Sequence, residues 1–143
     1  MIGFGFRSVT AVVAAVVVLA GCGGSKGLQM SPDEHAIRGV LSKLESFSRS
    51  GDGARICTEL FTPRLAASVA QASRTKNCAQ EIRAHVFTPR AVVNVNRVAF
   101  IDSSTATARI TVQGGVKDDV SLVKFKNQWR IRGIQQASPP AGG

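Results

Sequence analysis

Acid–base catalysis, nucleophilic attack and metal binding each need particular side chains at particular spacings, and this 143-residue chain offers few of them. Its two histidines are His35 and His85. His85 follows Glu81 by four residues, so the two share a helix face, where such a pair is ordinarily a solvated contact near a helix end. His35 follows a capping segment and reads as exposed surface. Asp102, beside Ser103-Ser104, has the context of a turn residue. Asp118 and Asp119 are adjacent in a strand-like stretch, so they point to opposite faces and cannot share a substrate proton. No Ser/His/Asp set, phosphate loop or paired-carboxylate arrangement is visible. Cys22, Cys57 and Cys78 include no C-x-x-C spacing, and two histidines do not complete a zinc site. The reading therefore assigns no catalytic residue, no metal ligand and no cofactor.

The strongest chemistry lies at the amino terminus. Met1 to Arg7 carries a basic side chain and the terminal amine, and Val9 to Ala20 is apolar apart from Thr10. A basic head before a short apolar run is the layout of an export signal, and the run falls short of the roughly 20 residues that span a bilayer. The following Leu19-Ala20-Gly21-Cys22 resembles the bacterial lipobox, in which the cysteine thiol takes a diacylglyceryl group and the signal is cut just before it. That resemblance implies residues 1–21 as signal peptide, Cys22 as lipidated terminus, residues 22–30 as a flexible tether, and an extracytoplasmic protein anchored to the cell membrane. Two buried acyl chains suffice for stable attachment. With Cys22 assigned to lipid, Cys57 and Cys78 remain as a pair, and outside the cytoplasm a disulfide is its expected state.

Lysine and arginine number 18 against 9 acids, a formal charge of +9. Nucleic acid is one reading of such a balance, but export, the spread of charge from Arg38 to Arg132 and the lack of an RNA-binding motif argue against it. Anionic lipid or another envelope component is the expected partner.

The elements that must position these residues begin at Ser31-Pro32-Asp33-Glu34, which combines a capping serine, a first-turn proline and an acid three residues after the cap. Ile37, Val40, Leu41, Leu44 and Phe47 follow at helical spacing, and Gly51 ends the helix. A second short helix carries Ile56, Cys57, Leu60 and Phe61, a third starts at Thr62-Pro63 and runs through Leu65 and Val69, and Asn77 caps a fourth with Ile82 inward. A Cys57–Cys78 bond would pin the second helix to the fourth. After Pro89 the pattern changes to strands. Residues 104–113 alternate, with Ala106, Ala108, Ile110 and Val112 on one face. Residues 92–101 change phase near Asn96-Arg97, which predicts a β-bulge. Residues 116–126 and 128–134 form a last hairpin turning near Asn127. Val123, Phe125, Trp129 and Ile131 are assigned to its inner face, which puts Lys124, Lys126, Arg130 and Arg132 together on the outer face as a candidate contact for an anionic surface. Residues 31–135 make one domain, and 136–143 read as a disordered tail.

Helices followed by antiparallel strands with a bulge give an α+β domain whose curved sheet of about four strands wraps a long amino-terminal helix. Together with Phe47, Cys57, Cys78 and the closing segment from Leu122 to Ile131, this resembles the nuclear transport factor 2-like cone. More narrowly, the chain resembles small actinobacterial envelope lipoproteins with a lipobox, a Gly-Asp break after the first helix and two helix cysteines. The resemblance implies a cone with an interior used elsewhere for isomerisation, dehydration, cyclisation or ligand binding. Isomerase members use a tyrosine and an aspartate in the cone, and this chain has no tyrosine. The expected function is a non-catalytic binding or docking module. The alternative is a small enzyme using a His85–acid pair. An interior filled by Phe47, Phe100, Phe125 and Trp129 would favour docking.

Overall fold

A computed structural model describes residues 29–86 and 90–137, without the side chains of His85 and Val86. Residues 1–28, which hold the expected signal peptide and Cys22, and residues 87–89 and 138–143 lie outside the described residues. Helix α1 (Pro32–Ser50) starts as its sequence dictates. The Ser31 hydroxyl accepts the Glu34 amide hydrogen bond, Pro32 occupies the first turn, and Gly51 ends the helix at a positive φ of 70°. Helix α2 (Gly53–Arg55), capped by Asp52, runs directly into a π-helical turn, Ile56–Leu60. Helix α3 (Pro63–Ala72) is capped by Thr62, and α4 (Cys78–Glu81), capped by Asn77, runs into a second π-helical turn, Ile82–Val86. The capping residues were legible, but the π turns were not.

Strands β1 (Val93–Phe100), β2 (Thr105–Val112), β3 (Lys117–Phe125) and β4 (Gln128–Gln136) form an antiparallel meander in the order β1-β2-β3-β4. The predicted bulge is present, since the β1–β2 register shifts between Val95 and Arg97. A second bulge falls in β4, where Ser121 faces Gly133 and Leu122 faces Ile131, leaving Arg132 unpaired. Ile131 and Ile134 are three residues apart, so a regular strand would put them on opposite faces. The bulge rephases the strand and turns both inward. Strand β4 also runs to Gln136, and the Ala137 amide still bonds the Lys117 carbonyl, so the expected tail boundary at 136 falls inside the sheet.

The core lies between α1 and the concave sheet face. Ile37, Leu41 and Leu44 of α1 are fully buried against Ala106, Ala108, Ile110, Val120, Leu122 and Ile131. Beside this layer Cys57 and Cys78 form the predicted disulfide, with Cα atoms 6.3 Å apart, tying the first π turn to α4. Gly53 allows that approach, because a Cβ there would collide with the Ala79 carbonyl.

One predicted facing is reversed. In β3 the inner face carries Val120, Leu122 and Lys124, and Val123 and Phe125 point outward. The β2 face explains the choice: Ala106 and Ala108 are fixed inward, and they pair directly with Leu122 and Val120. Lys124 pairs with Trp129 and so follows it to the inner side. Lys124, Lys126, Arg130 and Arg132 consequently do not form one outward cluster.

Candidate functional site

The end of the molecule where α1 begins is also where the β3–β4 turn lies. Asp33, in the first turn of α1, joins the two. Its Oδ1 accepts the Trp129 indole N–H at 2.9 Å, and its Oδ2 accepts a hydrogen bond from the Lys124 ammonium at 3.0 Å. These bonds, first from Lys124 and then from Trp129, hold the Asp33 carboxyl below the usual carboxylate range. The helix amino terminus favours the same charge. An inward lysine is tolerated because it sits at the rim, where its ammonium is paired and still reaches water.

Beyond this tie, α1, the first π turn and the β3–β4 hairpin enclose an open cleft of about 700 Å³. Its floor is Ala36, Gly39 and Val40 of α1 with Leu60, and its walls carry Asp33, Lys43, Glu59, Lys124, Asn127, Gln128 and Trp129. Lys126 and Asn127 form a two-residue turn with φ of 50° and 61° at the cleft mouth. Glu59 accepts bonds from Arg55 at 2.7 and 3.2 Å, and this pairing lowers its pKa. The Arg55 guanidinium in turn lies 4.1 Å over the Phe47 ring. Both cleft carboxylates are thus held ionised by cations. Such groups can anchor a ligand's donors, but they are not proton carriers near neutrality.

The other residues singled out by the sequence divide clearly. Cys22 lies outside the described residues. His35 is exposed, while the His85 side chain falls outside the described set, and with it the Glu81–His85 pair. Asp102 is a turn residue, its Oδ1 accepting from the Ser104 amide at 2.7 Å and hydroxyl at 2.8 Å. Asp118 and Asp119 do face apart: Asp119 takes a two-bond contact from Arg109 at 2.9 Å on the outer face, and Asp118 lies in phase with Val120. Burial, then the neighbouring Asp119 charge, push the Asp118 carboxyl above its usual range. Of the four basic residues assigned to one patch, Arg130 bends round the sheet edge to donate to the carbonyls of Thr58 at 2.8 Å and Phe61 at 3.2 Å. Arg132 is exposed on the bulge. Lys126 and Arg130 each sit 5.6 Å from the Phe125 ring on the outer face. Among the described residues, no three histidine, cysteine or carboxylate side chains gather as metal ligands.

A crystal structure of a nuclear transport factor 2-like protein of unknown function from Shewanella baltica OS155 matches the chain with a TM-score of 0.51. The match covers 79% of this chain and 100% of the other at 21% identity. This domain has the nuclear transport factor 2-like fold. No protein-family model and no curated protein matches, and at this identity the structural likeness carries the fold alone.

Of the four aromatic side chains expected in the interior, Phe47 and Trp129 are buried in the core, while Phe125 points outward and Phe100 stands at the rim with 43% exposure; aliphatic side chains of α1 fill the rest against the small Ala106 and Ala108. The cleft residues Lys43 and Glu59 were not anticipated. They are polar positions on helices, indistinguishable in sequence from ordinary solvated faces, and only the packing of hairpin on helix gathers them.

Proposed function

We propose that the protein is a lipid-anchored component of the bacterial envelope, of the small actinobacterial lipoprotein type, that works by binding rather than catalysis. The open cleft between α1 and the β3–β4 hairpin is its binding surface, and its partner is a polypeptide segment of another envelope component. One observation carries this reading: the space between α1 and the sheet, where a substrate chamber would lie, is occupied by Ile37, Leu41, Leu44, Ile110, Val120, Leu122 and Ile131, each at most 1% exposed. The concavity lies outside, with an apolar floor and walls of both charge signs. An open groove of that kind suits an extended chain better than an enclosed small molecule. The anchor is supported by Leu19-Ala20-Gly21-Cys22 after a short apolar run.

The test is native mass spectrometry of the protein extracted from its own membrane, alongside a Gly39→Trp variant. Gly39 lines the cleft and a Cβ there meets no atom within 4 Å, so the substitution starts without a clash, and matching circular dichroism of variant and parent checks that the fold is kept. The expected result is a diacylated chain beginning at Cys22, with a polypeptide that co-purifies with the parent and with an outer-face Lys117→Trp control but is lost with Gly39→Trp. An unmodified Cys22 refutes the anchor, and a partner retained by Gly39→Trp refutes the cleft.

A further inference from the structure

At the amino-terminal end of α1, three apolar side chains stand in solvent. Ile101 is 68% exposed at the β1–β2 turn, beside Phe100 at 43%, and Met30 just before α1 is also 43% exposed. The three belong to one end of the sheet. Strands β1 and β3 both run toward it, the Lys124 amide bonds the Ser104 carbonyl, and Phe100 meets Trp129 edge-on at 6.0 Å. Asp102 beside them is folded back onto Ser104 and remains a carboxylate at this tip, while Asp33 is paired with Lys124 and bonded by Trp129. The exposed Lys126, at the adjoining hairpin tip, adds a cation to this end.

We infer that this end of the domain rests in the interfacial layer of the bilayer that holds Cys22. The inference depends on the anchored reading above. Seven residues lie between Cys22 and Met30, and the eight Cα-to-Cα steps cannot span more than roughly 26–29 Å even when fully extended. The eight-residue strand β2 alone places the opposite end, with Gly114 and Gly115, roughly 25 Å farther from the anchor. Exposed Val116 and Val92 lie toward that distal end. The tether enters the domain at Met30, so the Met30–Phe100–Ile101 end meets the membrane with the tether relaxed, whereas bringing the other end down needs the tether almost fully extended along the domain. A tip with apolar side chains ahead and a lysine beside it matches the layering of an anionic bilayer surface. This orientation leaves the α1–hairpin cleft near the bilayer and opening sideways, within reach of a partner attached to the same membrane.

The chain carries its own reporter, because Trp129 is its sole tryptophan and there is no tyrosine. The lipidated protein is reconstituted into anionic phosphatidylglycerol-containing vesicles whose acyl chains are brominated next to the headgroups, and each emission is normalised to the same protein in unbrominated vesicles. Interfacial segments sit about 5–10 Å into the headgroup boundary, so Trp129 emission is expected to fall roughly twofold in the brominated vesicles. Replacing Met30 and Ile101 together with serine should restore most of that emission while the protein still floats with the vesicles. Val116→Ser should change nothing. Both substitutions are at exposed positions, and normalised emission in unbrominated vesicles checks that the Trp129 environment is unchanged. Flotation without quenching, quenching that survives Met30→Ser/Ile101→Ser, or equal loss in Val116→Ser overturns the membrane-facing assignment alone. Failure to float overturns the anchored reading and this orientation with it.

Discussion

Replacing Cys57 and Cys78 together with alanine tests whether the helical layer and the sheet form one cooperative unit. The bond joins residues 21 apart in sequence, and the segment it closes contains all of α3 and the Phe61 bridge to Ile131 of β4. Constraining an unfolded loop of that length stabilises the native state by about 3 kcal/mol. That is a large share of the roughly 5–15 kcal/mol available to a domain of this size. At the typical urea dependence of small domains the midpoint should fall by roughly 1–3 M, and the melting temperature by roughly 12–24 °C. Unfolding would be followed by Trp129 emission, which reports the β3–β4 end, and by far-ultraviolet circular dichroism, which reports the helices. In the oxidised protein the two curves should coincide. A loss below about 1 kcal/mol, the size of an ordinary point substitution, would refute the argument. It would mean that the loop is already constrained when the domain is unfolded, or that α3 contributes little to the cooperative transition.

Gly53→Ala should cost about 1–3 kcal/mol, measured by the same denaturation, because the new methyl group meets the Ala79 backbone and forces α2 away from α4. Arg130→Met should lose roughly 1.5–3 kcal/mol with the charged hydrogen bonds to Thr58 and Phe61, whereas Arg132→Gln, exposed on the bulge, should stay within about 0.5 kcal/mol. Asp118 has a raised pKa when folded, so its ionised form opposes folding above that pKa and the cost disappears below the ordinary carboxylate range. Asp118→Asn should therefore be more stable than the parent at neutral pH and equal to it in acid, as read from denaturation curves across pH. Asp33 has the opposite sign: its lowered pKa contributes stability above the ordinary range that is lost as pH falls through the folded value, so Asp33→Asn should flatten part of the acid limb.

The helical half of the domain was legible because its information is local. Ser31, Thr62 and Asn77 each cap the helix they precede, and Gly51 supplies the left-handed stop. The alternation in β2 was equally clear, since Ala106, Ala108 and Ile110 leave only one face to bury. Strand β3 was different. Val120-Ser121-Leu122-Val123-Lys124-Phe125 offers an apolar set in either phase, and the choice rests on β2 and β4, not on the strand itself. The Asn96 bulge could be read because valines changed phase across it. The same sign was present in Ile131 and Ile134, but Gly133 between them gave no side chain to mark the shift. The cleft was not legible at all, because it exists only where three elements distant in sequence leave a gap.

The reversed phase of β3 has a further consequence for how the domain meets its surroundings. Had Lys124 joined Lys126, Arg130 and Arg132 on the outer hairpin face, four like charges would have crowded one strand pair, which is destabilising. Burial of that face against a second copy would have been opposed as well. The observed register takes Lys124 off that face and leaves Lys126 and Arg130 beside the Phe125 ring. Lys124 is spent on Asp33, Arg130 on the carbonyls at the end of the π turn, and Arg132 stands apart on the bulge. Their structural work differs in kind: Lys124 fixes the hairpin to the start of α1, and Arg130 fixes the sheet edge to the helical layer. Together these ties make the cleft wall and the Phe100–Ile101 tip parts of one rigid end, so a ligand in the cleft and a membrane beneath the tip would act on the same structural element.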